Sequence, residues 1–166
     1  PARRECPVDA LVSDWANAYE HDKVFNETGL FIAGGAETTR TAIAHGLRAF
    51  ADHPDQWERR AAAPDLVPAA GAGVSRWGTP PNRVVRGPAG EDPFTFDITR
   101  RPNPHVAFGY GTHFCVGANF AKYELALLFT ELTTRFRPPV VVTEPDIEPN
   151  IFARAVRSFE LDLTRR

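Results

Sequence analysis

The sequence predicts a mainly α-helical fold with a minor β component. Three observations carry that prediction. Apolar residues recur at helical spacing over some thirty positions from Asp22 to Phe50. A second helical pattern, Ala121, Leu125, Leu128 and Leu132, steps by four, three and four. Strand-like alternation is clearest near the end of the chain, where Phe159, Leu161 and Leu163 are interleaved with Glu160 and Asp162.

The elements follow in order. Val8, Leu11, Val12, Trp15 and Tyr19 predict a helix over 8–20. Asp22 is a suitable cap for the next helix, which runs through Phe25, Leu30, Ile32, Ala33, Ala36, Ile43, Leu47 and Phe50. Pro54 stops it, because the residue before proline avoids the helical region. Residues 64–104 hold eight of the 15 prolines, together with Gly71, Gly73, Gly78, Gly87 and Gly90, and are expected to be irregular. Within them, Asn82 to Arg86 is expected to form a short strand. The helix after Cys115 ends at Pro138-Pro139, and Val140-Val141-Val142 reads as a strand. The expected division is helices over 8–53, the irregular segment over 64–104, a loop and helix over 105–137, and terminal strands over 138–166.

Composition narrows the function. The 19 basic and 21 acidic side chains leave a net charge of −2, which gives no pull toward nucleic acid or an anionic membrane surface. No apolar run approaches a membrane span, so the expected location is the cytoplasm. Two cysteines, Cys6 and Cys115, are too few for a disulfide framework, and a single loop cysteine cannot build a zinc or iron–sulfur site. The 166-residue chain contains no methionine.

Two motifs carry chemistry. The first is Phe108-Gly109-Tyr110-Gly111-Thr112-His113-Phe114-Cys115-Val116-Gly117. Its glycines let backbone pass close to something flat or bulky. The helix behind Cys115 favours a thiolate, and a loop-held thiolate with one open side suits an axial iron ligand. The competing reading of a lone cysteine in a glycine-rich loop is a small buried hydrophobe. The second motif is Gly34-Gly35-Ala36-Glu37-Thr38-Thr39, inside the long helix. Two helical glycines cost roughly 1 kcal/mol each relative to alanine. Either a flat ligand approaches that face, or the helix opens locally where Thr38 bonds the Gly34 carbonyl. The competing reading is a helix packed tightly through small residues, with Glu37 in solvent.

The first motif resembles the haem-binding loop of the cytochrome P-450 family, Phe-Gly-x-Gly-x-His-x-Cys-x-Gly, with Phe108, Gly109, Gly111, His113, Cys115 and Gly117 all matching. The second resembles the family's oxygen-activation motif, Ala/Gly-Gly-x-Asp/Glu-Thr-Thr/Ser. The resemblance implies the C-terminal part of that fold and a haem b cofactor with Cys115 as its iron ligand. It also implies dioxygen and a small hydrophobic organic substrate as reactants, with electrons from a ferredoxin and its reductase. By the same resemblance Gly34 and Gly35 lie against the haem, Thr38 hydrogen-bonds the oxygen site, and Glu37 relays protons. His113 and Arg86, the latter beyond Arg76-Trp77-Gly78-Thr79-Pro80, are expected to bind haem propionates.

The likeness is broken in places. The family's Glu-x-x-Arg has Gly73 in place of the glutamate before Arg76, and the arginine usual before Phe-Asp-Ile is Thr95. Arg76 is therefore expected to face water or a pairless interior. Family members are more than twice this long, so the chain is expected to be a C-terminal portion or a shortened relative, lacking the elements that roof a substrate pocket. A degenerate relative that binds haem weakly or not at all is the alternative to an active monooxygenase.

Overall fold

A computed structural model describes residues 13, 21–63, 67–78, 95–149 and 154–166. The chain divides into two compact units, Pro1–Glu37 and Thr38–Arg166. The described elements are α1 (His21–Asp52), α2 (Pro54–Ala62), α3 (Val67–Trp77) and α4 (Ala118–Arg135), followed by β1 (Val140–Val141), β2 (Asp146–Ile147), β3 (Val156–Ser158) and β4 (Leu161–Asp162). The mainly α, minor β class expected from the sequence is the class observed. The helix expected over 8–20, apart from residue 13, and the strand expected over Asn82 to Arg86 lie outside the described residues.

Helix α1 spans 32 residues with Asp22 in its first turn, where a carboxylate favours the exposed N–H groups. It ends at Asp52 because His53 takes a non-helical conformation ahead of Pro54, which opens α2. The sequence reading placed one apolar face along the whole of α1, and the two halves differ. In the first unit Phe25, Leu30 and Ile32 are exposed. In the second, Ala42, Ala49 and Phe50 are buried.

Phe50 is the centre of the second unit's core. Its ring lies 5.3 Å from Trp57 of α2 and 5.2 Å from Phe96, both edge-on, and 5.2 Å from Phe129 of α4. Offset and edge-on geometries of this kind add to simple area burial. Trp57 satisfies its indole N–H on the Phe136 carbonyl at 3.1 Å, so a large ring is buried without an orphaned donor.

Helix α3 corrects the expectation that residues 64–104 are irregular throughout. Glycines are poor helix formers in isolation. Here they are needed for contact: a Cβ on Gly71 would stand 2.7 Å from the Lys122 carbonyl of α4. Close packing of α3 on α4 outweighs propensity. Arg76 is corrected as well. It is 2% exposed, and its guanidinium donates to the Thr95 carbonyl at 3.1 Å. At the position where the family carries an arginine, the Thr95 main chain supplies an acceptor.

Helix α4 has two apolar sides. Leu125, Ala126 and Phe129 are buried; of the expected Ala121, Leu125, Leu128 and Leu132, Leu125 is buried and the other three are half-buried, while Phe120, Tyr123 and Leu127 are exposed. The terminal strands form two small antiparallel pairs. Val140 faces Asp162 and Val141 faces Leu161 in one, and Asp146 faces Ser158 and Ile147 faces Val156 in the other, with a register shift between Asp146 and Ile147.

Candidate haem-thiolate site

The loop ahead of α4 is shaped by two residues in left-handed backbone, Gly109 with φ +79° and Gly111 with φ +70°. Only glycine occupies that region without a steric penalty. Gly109 N–H bonds the Val106 carbonyl at 2.9 Å, and a 3-10 turn covers Gly111–His113. The Cys115 N–H then returns to the Phe108 carbonyl at 2.8 Å, closing the loop, and the Cys115 carbonyl accepts from Ala118 N–H at 3.2 Å as α4 begins. The thiol is thus fixed by backbone bonds on both sides of its residue.

Cys115 is a free, exposed cysteine. The reading of a small buried hydrophobe does not hold. Around it Tyr110, Phe114 and Val116 are exposed at 89%, 54% and 86%. Large apolar side chains exposed in the same loop as an exposed thiol form a surface that water solvates poorly. Gly117 is less constrained: an added Cβ would meet the Cys115 Sγ at 3.9 Å, an ordinary contact. His113 is exposed at the end of the 3-10 turn.

Phe108 is half-buried and has cationic company. Lys122 Nζ lies 5.2 Å from the centre of its ring, and His105 lies 5.9 Å from it. His105 is held below its ordinary pKa by burial first, then by the charges of Lys122 and Arg76. Its Nδ1 faces the Ala107 N–H at 3.3 Å, which places the acceptor lone pair there. The sequence reading did not single out His105. The only available signal was its place between Pro104 and the loop.

The second motif lies on α1, which runs through Gly34–Thr39 without a break in its α-helical geometry. Among the described residues, a Cβ on Gly34 or Gly35 would meet nothing within 4 Å. Glu37 is half-buried and Thr38 exposed. Gly34, Gly35 and Glu37 belong to the first unit, whereas Thr38 and the entire cysteine loop belong to the second. Arg86 lies outside the described residues. The structure therefore assembles Phe108, Gly109, Gly111, His113, Cys115 and Gly117 in one loop.

These residues fit a haem. The donor set is one accessible thiol, backbone holds it in place, and its exposed neighbours are flat or branched apolar groups suited to a macrocycle. Comparison with known proteins agrees. The family model for cytochrome P-450 matches residues 90–161. Cytochrome P-450 126 of Mycobacterium tuberculosis is 36% identical across 86% of this chain and 44% of that protein. A steroid C26-monooxygenase of Rhodococcus jostii is 32% identical across 96% of this chain and 41% of its own length. Among solved structures, P-450 RauA, complexed with a biosynthetic intermediate of aurachin RE, shares the fold with a TM-score of 0.81 at 24% identity, over 89% of this chain and 43% of that one. CYP109Q5 of Chondromyces apiculatus gives a TM-score of 0.75 at 26% identity, over 89% and 46%. The chain belongs to the cytochrome P-450 family. It spans less than half the length of these relatives. Among the described residues, no helix is long and apolar enough to cross a membrane.

Proposed function

We propose that this chain provides the iron-binding loop and the oxygen-side helix of a haem-thiolate monooxygenase, which inserts one oxygen atom of dioxygen into an organic substrate. The observation that carries the reading is Cys115, exposed among apolar side chains and fixed by the bond from its N–H to the Phe108 carbonyl. Haem b, bound here, would supply the oxygen chemistry, with thiolate donation favouring O–O cleavage.

The chain's own residues have separate tasks. The backbone of Phe108–Gly117 presents the sulfur and limits its movement. Gly34 and Gly35 leave the α1 surface open for a flat group. Thr38 offers a hydroxyl to the oxygen side, and Glu37 moves protons toward it, because cleavage needs protons without flooding water. His113, together with Arg86, balances the propionate charges. A ferredoxin and its reductase would supply electrons, in the cytoplasm. The relatives named as steroid C26-monooxygenases favour a steroid-like apolar molecule as that small hydrophobic substrate.

One observation favours a second reading, a non-catalytic relative with weak haem affinity. Gly73 and Thr95 leave Arg76 with a main-chain acceptor at Thr95 in place of the family's side-chain partners. One experiment separates the two. Reduced protein under carbon monoxide should give the red-shifted Soret band of a thiolate-ligated haem, Cys115→Ala should abolish it, and Cys6→Ala should leave it unchanged. A Cys115→Ala protein with the wild-type spectrum would refute the assignment.

A further inference from the structure

Two side chains of α1 outside both motifs reach across the second unit to main-chain carbonyls. Arg40 Nη1 donates to the Val156 carbonyl at 2.8 Å. His45 Nε2 lies 2.9 Å from the Arg154 carbonyl. A carbonyl only accepts, so the imidazole carries its proton on Nε2 and donates it. The receiving backbone is tied on its other side too, because Glu148 N–H bonds the Ala155 carbonyl at 2.8 Å. Ala155 and Val156 are 5% and 3% exposed.

The position of this clamp along α1 gives it meaning. Thr38, Thr41, Ala42 and His45 stand at i, i+3, i+4 and i+7, and so share one face of the helix. Thr38 is exposed, whereas Thr41 is 1% and Ala42 6% exposed. The face therefore passes from open to covered within one turn after Thr38. His45 lies about 10 Å along the axis from Thr38 on that face, and Arg40, about 3 Å along and turned about 200° from Thr38, reaches the same segment with its longer side chain. The clamp thus holds the 154–156 backbone beside the boundary between the open and covered parts of the face.

We propose that Arg40 and His45 are positioning residues that fix the 154–156 backbone against α1 and thereby set the room available to a substrate beside Thr38. This inference rests on the haem-thiolate reading. The two hydrogen bonds act on geometry alone, and neither side chain needs to touch substrate.

The test compares two iron-ligating azoles, imidazole and 4-phenylimidazole, titrated spectrally into the haem-loaded protein. Both bind iron through nitrogen, but only the second carries a ring that needs a wall. Arg40→Ala and His45→Ala should each weaken 4-phenylimidazole by about tenfold, the scale of one lost partly buried hydrogen bond, and imidazole by less than about twofold. His45→Gln, which keeps an N–H donor at similar reach, should restore most of the 4-phenylimidazole affinity. Equal weakening of both azoles, or no change in either, would overturn the proposal. Amide exchange gives a second readout that does not need haem: the Glu148 N–H should exchange faster in His45→Ala. If the azoles give no spectra but exchange at Glu148 rises, the clamp stands and the haem reading fails. If exchange at Glu148 is unchanged, the clamp itself is wrong.

Discussion

Alanine at Gly109, Gly111 and Gly117 separates the forces that shape the cysteine loop. All three glycines lie within ten residues of one another, yet the structure assigns them different costs. At Gly111 the backbone is left-handed with φ +70°, but the space beside it is open. Alanine there should cost about 1 kcal/mol, from backbone conformation alone. At Gly109 the backbone is also left-handed, and an added Cβ would stand 3.2 Å from the His113 carbonyl. That oxygen belongs to backbone already fixed in the 3-10 turn and has little freedom to retreat. The cost should rise to about 2 kcal/mol or slightly more. At Gly117, φ is −85° and the nearest atom, Cys115 Sγ, is 3.9 Å away. Alanine loses the modest preference for glycine at a helix N-cap but restricts the unfolded chain, so the net change should stay within about 0.5 kcal/mol of zero. Urea titrations followed by tryptophan fluorescence resolve this series. With a slope of about 2 kcal/mol per molar, Gly109→Ala should lower the midpoint by roughly 1 M and Gly111→Ala by roughly half that. A Gly117→Ala protein as unstable as Gly109→Ala, or equal costs at all three positions, would refute the reasoning.

Phe50→Ala should cost about 3–5 kcal/mol, because three aromatic partners surround a fully buried ring; a urea midpoint shift of less than about 0.5 M would contradict that core. In a haem-loaded protein of the family's full length that carries this segment, Thr38→Ala should divert oxygen consumption from product to peroxide, and full coupling would count against a role for its hydroxyl. Acidification should destabilise the fold through His45 and His105. Burial is the leading cause that lowers both below the ordinary value near 6.5, partly offset at His45 by its bond to the Arg154 carbonyl. The unfolded chain therefore binds more protons as pH falls through that value, and stability is lost on the acid side. Melting temperatures at about pH 5 and 7 should differ less in the His45→Gln, His105→Gln double variant than in wild type, and an equal difference would exclude these two groups as the cause.

The parts of this chain that sequence made legible are those whose information is local. Pro54 and Asp22 mark the ends of α1 within two residues of the observed His21–Asp52, with Asp22 inside the first turn and not at the cap. The cysteine loop is legible because left-handed backbone needs glycine at particular spacings, and Gly109 and Gly111 fill them. Helix α3 was hidden because Gly71 reads as a breaker until the Lys122 carbonyl stands 2.7 Å from its missing Cβ. Phe25, Leu30 and Ile32 have the spacing of a buried face, and periodicity alone does not tell whether a face is covered. Arg40 and His45 were silent because their acceptors, Val156 and Arg154, lie more than a hundred residues away, and a main-chain carbonyl leaves no mark on composition.

The far end of α4 bears on how this protein can be handled. Arg166 donates its backbone N–H to the Arg135 carbonyl at 3.0 Å and its Nε to the Thr133 carbonyl at 3.0 Å, while its guanidinium pairs with Glu58 of α2 at 2.7 Å. One residue thus fastens the rear of the helix whose front end carries the thiol. Residue 166 serves as a rivet, and any segment that follows it directly would pull on the same rod that holds Cys115. A short flexible spacer leaves that rivet seated.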